Sequence, residues 1–275
     1  MNYYLDTEFI EGKQAKTILG IKYGETKPTI DLISIGIVAE DGREYYAISK
    51  DFNLKEAWNR FDKKVNKDYT PSREEAHYNP MYIKEYGIRD NVLKPIFIEL
   101  LHKQYSNEPT FYDKYRNSLS ISNDFRTFTF NYKLFKKLIN NYGKTNKQIA
   151  EEVIQFVMPS KEDCDTKNFI KYKEIYSNPQ FYAYYADYYW VAFCWLFGKM
   201  NDLPKGFPIY CIDLKQMLDE KVNTYPFRVG TIKKDFNTTL NDMESFDSYP
   251  KQENEHNALA DAKWNKDLHE FINKL

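Results

Sequence analysis

The sequence has little of what would assign it quickly. Its three cysteines, Cys164, Cys194 and Cys211, make an odd number with no short spacing. That argues against both a disulfide framework and a zinc ribbon, and reduced, buried thiols are expected. An excess of one charge is missing too. The 39 Lys and Arg against 40 Asp and Glu leave a net charge of −1, so nucleic acid cannot be held by bulk positive charge, although a local basic groove beside an acidic site stays open. The longest apolar run, near Val191 to Phe197, is far too short to span a bilayer. Acids stand near the N-terminus where a signal peptide would need a basic and then an apolar run, so a soluble cytoplasmic protein is expected. No internal repeat or low-complexity tract is visible.

What is present points to a folded chain. Hydrophobic residues at 42% and aromatic residues at 17% exclude disorder despite a mean hydropathy of −0.71. Asn2 to Leu5 is β-prone and ends in Asp6-Thr7-Glu8-Phe9. After a polar stretch from Gly12 to Lys27, the runs Ile30 to Ala39 and Glu44 to Ser49 flank Asp41-Gly42, which predicts a hairpin because Gly42 tolerates the positive φ of a tight turn. Helices are expected over Asn91 to Lys103, Tyr132 to Asn141, Asn146 to Val157, Tyr188 to Lys199 and Asp213 to Lys221. Pro71, Pro80 and Pro109 punctuate loops, and a charged linker is expected from Lys161 to Lys173. Pro179 to Ala186 reads as a strand running into the helix Tyr188 to Lys199, and Phe207 to Ile212 as another strand. Leu268, Phe271, Ile272 and Leu275 fall at i, i+3, i+4 and i+7, which marks a C-terminal helix. The expected fold is α/β, a mixed sheet flanked by helices, as a single domain over 1–275 with insertions at about 12–28 and 60–130.

Two clusters carry chemistry. Asp6 and Glu8, two apart on a strand, leave the same face. Adjacent carboxylates repel unless something positive lies between them, so the pair fits either a solvated strand end or a Mg²⁺ or Mn²⁺ site. The second cluster, Glu255-His256-Asn257-Ala258-Leu259-Ala260-Asp261-Ala262, opens the C-terminal helix with Asn254 or Asn257 as N-cap. The small alanines let this backbone pack close to a sheet. A zinc hydrolase is disfavoured because only one histidine lies with the acids.

Asp6-Thr7-Glu8 after an N-terminal strand, with His256-x-Ala258-x-x-Asp261 opening the last helix, resembles the first and third motifs of the DEDDh 3′-to-5′ exonucleases of the RNase H-like superfamily. The runs Tyr4 to Glu11 and Leu32 to Ala47 are similar to its polyadenylate-specific exoribonuclease AS branch at nearly every position, and Tyr182 to Met200 and the last helix resemble it too. The insertions are not covered. The resemblance implies an RNase H-like fold, a homodimer, and release of nucleoside 5′-monophosphates from the 3′ end of single-stranded RNA or an RNA overhang. It also implies two Mg²⁺ or Mn²⁺ ions held by Asp6, Glu8, Asp261 and a second-motif acid, with His256 as general base.

At that second motif the sequence departs from the pattern. Relatives place the acid directly before the Trp-Val segment, which is Tyr189 here, and the nearest carboxylate is Asp187. Asp187 is taken as the ligand through a changed local backbone; otherwise the site is weakened, since a phenol is a poor Mg²⁺ ligand. Thr7, Phe9 and Trp190 are expected to contact substrate, the two rings by stacking on bases. Basic contacts are sought at Lys133, Lys136, Lys137, Lys144, Lys147, Lys171 and Lys173. A DNA exonuclease and a nucleic-acid-binding module with a disabled site are the alternatives.

Overall fold

The structure, a computed structural model, describes residues 1–19, 21–66, 81–105, 129–158, 178–224, 244 and 246–275. Pro71, Pro80, Pro109, Cys164 and the expected linker 161–173 lie outside these residues. The chain divides into two compact units, one formed by Met1–Phe9, Ile30–Asp51 and Lys144–Leu275, the other by Ile10–Thr29 and Phe52–Gly143.

The first unit is built on a mixed five-stranded sheet. Its strands are β1 (Asn2–Gly12), β4 (Thr29–Ala39), β5 (Glu44–Ile48), β8 (Gln180–Ala183) and β9 (Ile212–Asp213), in the order β5-β4-β1-β8-β9. β4 and β5 form the expected antiparallel hairpin, with Gly42 at φ 89° in its turn. β1 runs parallel to β8, pairing Tyr3 with Phe181 and Tyr4 with Tyr182, and β8 runs parallel to β9. Chain Ile209-Tyr210, expected as strand, is instead exposed and irregular, so β9 shrinks to two residues.

Helices cover both faces because strand residues alternate sides. Tyr3, Leu5 and Phe181 join the core made with α4 (Asn146–Val157) and α5 (Ala186–Leu196), through Ile149, Val153 and Phe193. Tyr4 and Tyr182 join the opposite core with α6 (Leu214–Thr224) and α7 (Ala258–Lys274), through Leu214, Leu218, Leu268 and Ile272. Each such fully buried aliphatic or aromatic side chain stabilises the fold by about 1.5–3 kcal/mol. α7 begins so close to β4 that a Cβ on Gly36 would stand 2.2 Å from the Ala258 carbonyl oxygen. Glycine at 36 therefore seats the start of α7 against the middle of the sheet.

The second unit holds the β2–β3 hairpin (Ala15–Ile18 and Ile21–Glu25), α1 (Leu54–Asn59), the β6–β7 pair (Asp62–Val65 and Tyr82–Glu85), a π-helical segment Ile88–Leu93 leading into α2 (Lys94–Tyr105), and α3 (Tyr132–Tyr142). Trp58, Phe97, Phe130 and Phe135 interlock as an aromatic core, with Trp58 and Phe130 ring centroids 4.6 Å apart. Within the described residues, no helix is long and apolar enough to cross a membrane.

A candidate metal centre at the end of strand β1

β1 delivers Asp6 and Glu8 past the point where its pairing with β8 ends. Asn265 on α7 donates through Nδ2 to the Leu5 carbonyl at 3.0 Å, fixing helix and strand together one residue before Asp6. Asn257 caps α7, its side chain accepting from the Leu259 and Ala260 amides, so Asp261 falls in the first turn, above β1. One oxygen from each of Asp6, Glu8 and Asp261 lies within 4.8 Å of the others.

The electrostatics of this group are unfavourable as they stand. Asp6 is buried, and burial, then Glu8 and Asp261, hold its carboxyl well above the usual carboxylate range. Burial and then Asp261 push Glu8 up to about 8. Asp261 is raised mainly by burial, opposed by the hydrogen bonds it accepts from the Gln252 side chain and the His256 backbone. Three carboxylates this close share protons or gather a cation, and an all-oxygen anionic donor set suits a hard divalent ion such as Mg²⁺ or Mn²⁺.

His256 enters from the loop before α7. Its Nδ1 stands 4.0 Å from Glu8 Oε1, its side chain is half exposed, and its backbone N–H donates to Asp261 Oδ2 at 3.0 Å. It holds φ at 67°, and Asn254 holds 55°. Left-handed conformations of this kind cost non-glycine residues about 1–3 kcal/mol each and persist only where surrounding bonds fix them.

The second-motif region is arranged differently from expectation. Tyr185, at φ 57°, turns the chain from β8 into α5. Asp213, at the end of β9, holds that turn, its Oδ2 accepting from the Ala186 amide at 2.8 Å while Oδ1 caps α6. The side chain that reaches the acids is Tyr189, whose phenol interacts electrostatically with Asp6, Glu8 and Asp261. Burial and then the three acids push its pKa upward, so it stays a neutral donor. Asp187 is exposed and is not part of the carboxylate group. Two residues along an α-helix are about 200° apart around its axis, so 187 and 189 cannot face the same site.

Of the residues expected to meet substrate, Phe9 is half-buried and stacks on Tyr188, with centroids 6.0 Å apart and planes 13° from parallel. Tyr188 is 53% exposed. Trp190 belongs to the core: it is 8% exposed, stacks on Phe193 at 4.9 Å, and donates from Nε1 to the Ile209 carbonyl. It therefore has no free face for a base, and Tyr188 supplies the exposed ring. Thr7 is 2% exposed with its Oγ1 unbonded, and strand alternation puts it on the face away from Asp6 and Glu8. Lys144 pairs with Glu152 and Lys147 with Glu151. Lys133, Lys136 and Lys137 are exposed on α3 in the second unit, and Lys171 and Lys173 lie outside the described residues. Cys194 and Cys211 are free thiols.

Sequence reading singled out position 189 as the place where an acid was expected, and missed Tyr188, Gln252 and Asp213; Gln252 and Asp213 act through folded contacts that leave no local pattern.

No family model matches the chain. A stretch of 57 residues is 49% identical to a protein named 3′-5′ exoribonuclease from Mycobacterium tuberculosis, in strain CDC 1551 / Oshkosh and in strain H37Rv. That stretch is 21% of this chain, and the match spans about a quarter, 26%, of the length of each relative.

Proposed function

We propose that the chain is a divalent-metal-dependent 3′-to-5′ exoribonuclease. The observation that carries the reading is the convergence of Asp6, Glu8 and Asp261 within 4.8 Å, from opposite ends of the sequence, beside His256. The exoribonuclease name of the Mycobacterium tuberculosis relatives agrees with it.

Asp6, Glu8 and Asp261 would hold Mg²⁺ or Mn²⁺, which when bound supplies a charge that stabilises anionic oxygen in phosphodiester cleavage. The protein's own residues do the rest. His256, half exposed and next to Glu8, accepts the proton of the attacking water. The Phe9–Tyr188 pair offers a flat surface on which a terminal base stacks. Burial of Asp6 on β1 and of Asp261 in the first turn of α7 keeps bulk water from competing for the carboxylates. The substrate is RNA with a free 3′ end, DNA being the alternative, and the acting form is a homodimer.

Tyr189 favours a second reading, a nucleic-acid-binding module of reduced turnover, because a neutral phenol stands against Asp6 where another anionic donor would strengthen the donor set. Incubating 3′- and 5′-labelled RNA and DNA with purified protein, after chelation and then with Mg²⁺ or Mn²⁺ restored, separates the readings. Stepwise shortening of RNA on restoring the ion supports the enzyme, and binding with no shortening supports the module.

A further inference from the structure

Asp261 is tied on both of its oxygens. Gln252 Nε2 donates to Oδ1 at 2.7 Å, and the His256 backbone N–H donates to Oδ2 at 3.0 Å. Both donors come from the loop that precedes α7, the loop whose backbone is strained at Asn254 and His256. Trp264 Nε1 anchors the beginning of that loop through the Pro250 carbonyl at 3.0 Å, and the Asn257 cap anchors its end. Between those anchors, the two bonds to Asp261 bracket both strained residues.

A carboxylate offers about four lone-pair sites, so Asp261 can accept from Gln252 and still present a lone pair to a cation. An ionised carboxylate only accepts, which fixes the amide with its NH₂ toward Asp261. The amide is also neutral. A lysine in its place would cancel the charge that draws in the cation, whereas glutamine orients the carboxylate and leaves that charge intact. Gln252 is itself exposed and fills no part of either core.

We propose that Gln252 is the positioning residue of this site: its amide orients Asp261 toward the bound divalent ion and, through the same carboxylate, holds the loop that carries His256. Ion affinity and His256 placement thus both draw on the Gln252–Asp261 hydrogen bond. Hydrogen-bond partners that orient metal ligands in this way commonly contribute roughly 10- to 100-fold in metal affinity or activity. The inference rests on the reading of Asp6, Glu8 and Asp261 as a cation site.

The test measures Mn²⁺ binding by calorimetry and by the Mn²⁺ electron paramagnetic resonance signal, in the wild type, Asp6→Asn, Gln252→Met and Gln252→Ala. Methionine keeps the length of glutamine without its N–H, and alanine carries the test if the thioether disturbs the loop. The expected result is a roughly 10- to 100-fold loss of Mn²⁺ affinity in both Gln252 variants, with unchanged thermal unfolding in chelator and, on labelled RNA, a fall in kcat at nearly constant KM. Wild-type Mn²⁺ affinity in both variants overturns the role of Gln252 and leaves the cation site standing. Failure of the wild type to bind Mn²⁺, or equal binding by Asp6→Asn, overturns the cation-site reading and this inference with it.

Discussion

Tyr189 stands against Asp6 and within electrostatic reach of Glu8 and Asp261, which puts a phenol among three carboxylates. Asp187, two residues earlier, is turned away by the pitch of α5 and stays exposed. Position 189 is therefore where a fourth anionic ligand would complete the donor set. Tyr189→Asp is expected to raise divalent-ion affinity and turnover on RNA by about tenfold or more, while Asp187→Asn stays within about twofold of wild type. Calorimetric ion binding and single-turnover hydrolysis check both. A large loss in Asp187→Asn with no gain in Tyr189→Asp would return the ligand to 187.

Stability of the ion-free protein should fall as pH rises. Glu8 is raised from 4.5 to about 8, and Asp6 is raised as well, each chiefly by burial. The folded state thus retains protons that the unfolded chain releases, so the stability from this source is complete below about pH 4.5 and is lost as pH climbs through about 8. In chelator, Tm should decline between those limits, and saturating Mg²⁺ should remove most of the decline. A Tm that is flat or rising over that window would contradict the buried-carboxylate account.

His256→Ala should lower turnover by roughly 10² to 10⁴, the usual contribution of a general base, with ion binding nearly unchanged, because the backbone N–H that holds Asp261 survives the substitution. Unchanged turnover would assign the proton transfer to another group.

Tyr188→Ala should raise KM for RNA about 5- to 100-fold with kcat less affected, since base–aromatic stacking contributes about 1–3 kcal/mol per base. Trp190→Phe, by contrast, alters a core ring and should show itself in Tm before it shows in KM. Equal KM for wild type and Tyr188→Ala would remove the stacking surface.

Much of this was legible in the sequence, and what was not has physical causes. The β4–β5 hairpin is announced by Asp41-Gly42 because the turn needs a positive φ that few residues adopt. The apolar spacing of α7 is visible because one face is buried along its whole length: Leu268, Phe271 and Ile272 are all buried. Asp6 and Glu8 share a face by strand alternation, and Asp261 follows a capped helix start, so the carboxylate group could be read once the two ends of the chain were set side by side. Asp187 and Trp190 were misplaced because the phase of α5 is set by the Tyr185 turn and by Asp213 bonding the Ala186 amide, neither of which has a sequence signature. The strand expected over Phe207 to Ile212 failed because hydrophobic residues there, Ile209 and Tyr210, are exposed, leaving only Ile212 and Asp213 paired.

The most direct measurement is product sizing of a 5′-labelled RNA incubated with Mn²⁺ and wild type, Asp6→Asn or Glu8→Gln, each variant removing an ionisable ligand at nearly constant volume. The account predicts a ladder shortening one nucleotide at a time from the 3′ end with wild type, absent in both variants although each remains folded by circular dichroism. Wild-type shortening in either variant, or no Mn²⁺-dependent shortening by the wild type, would contradict it.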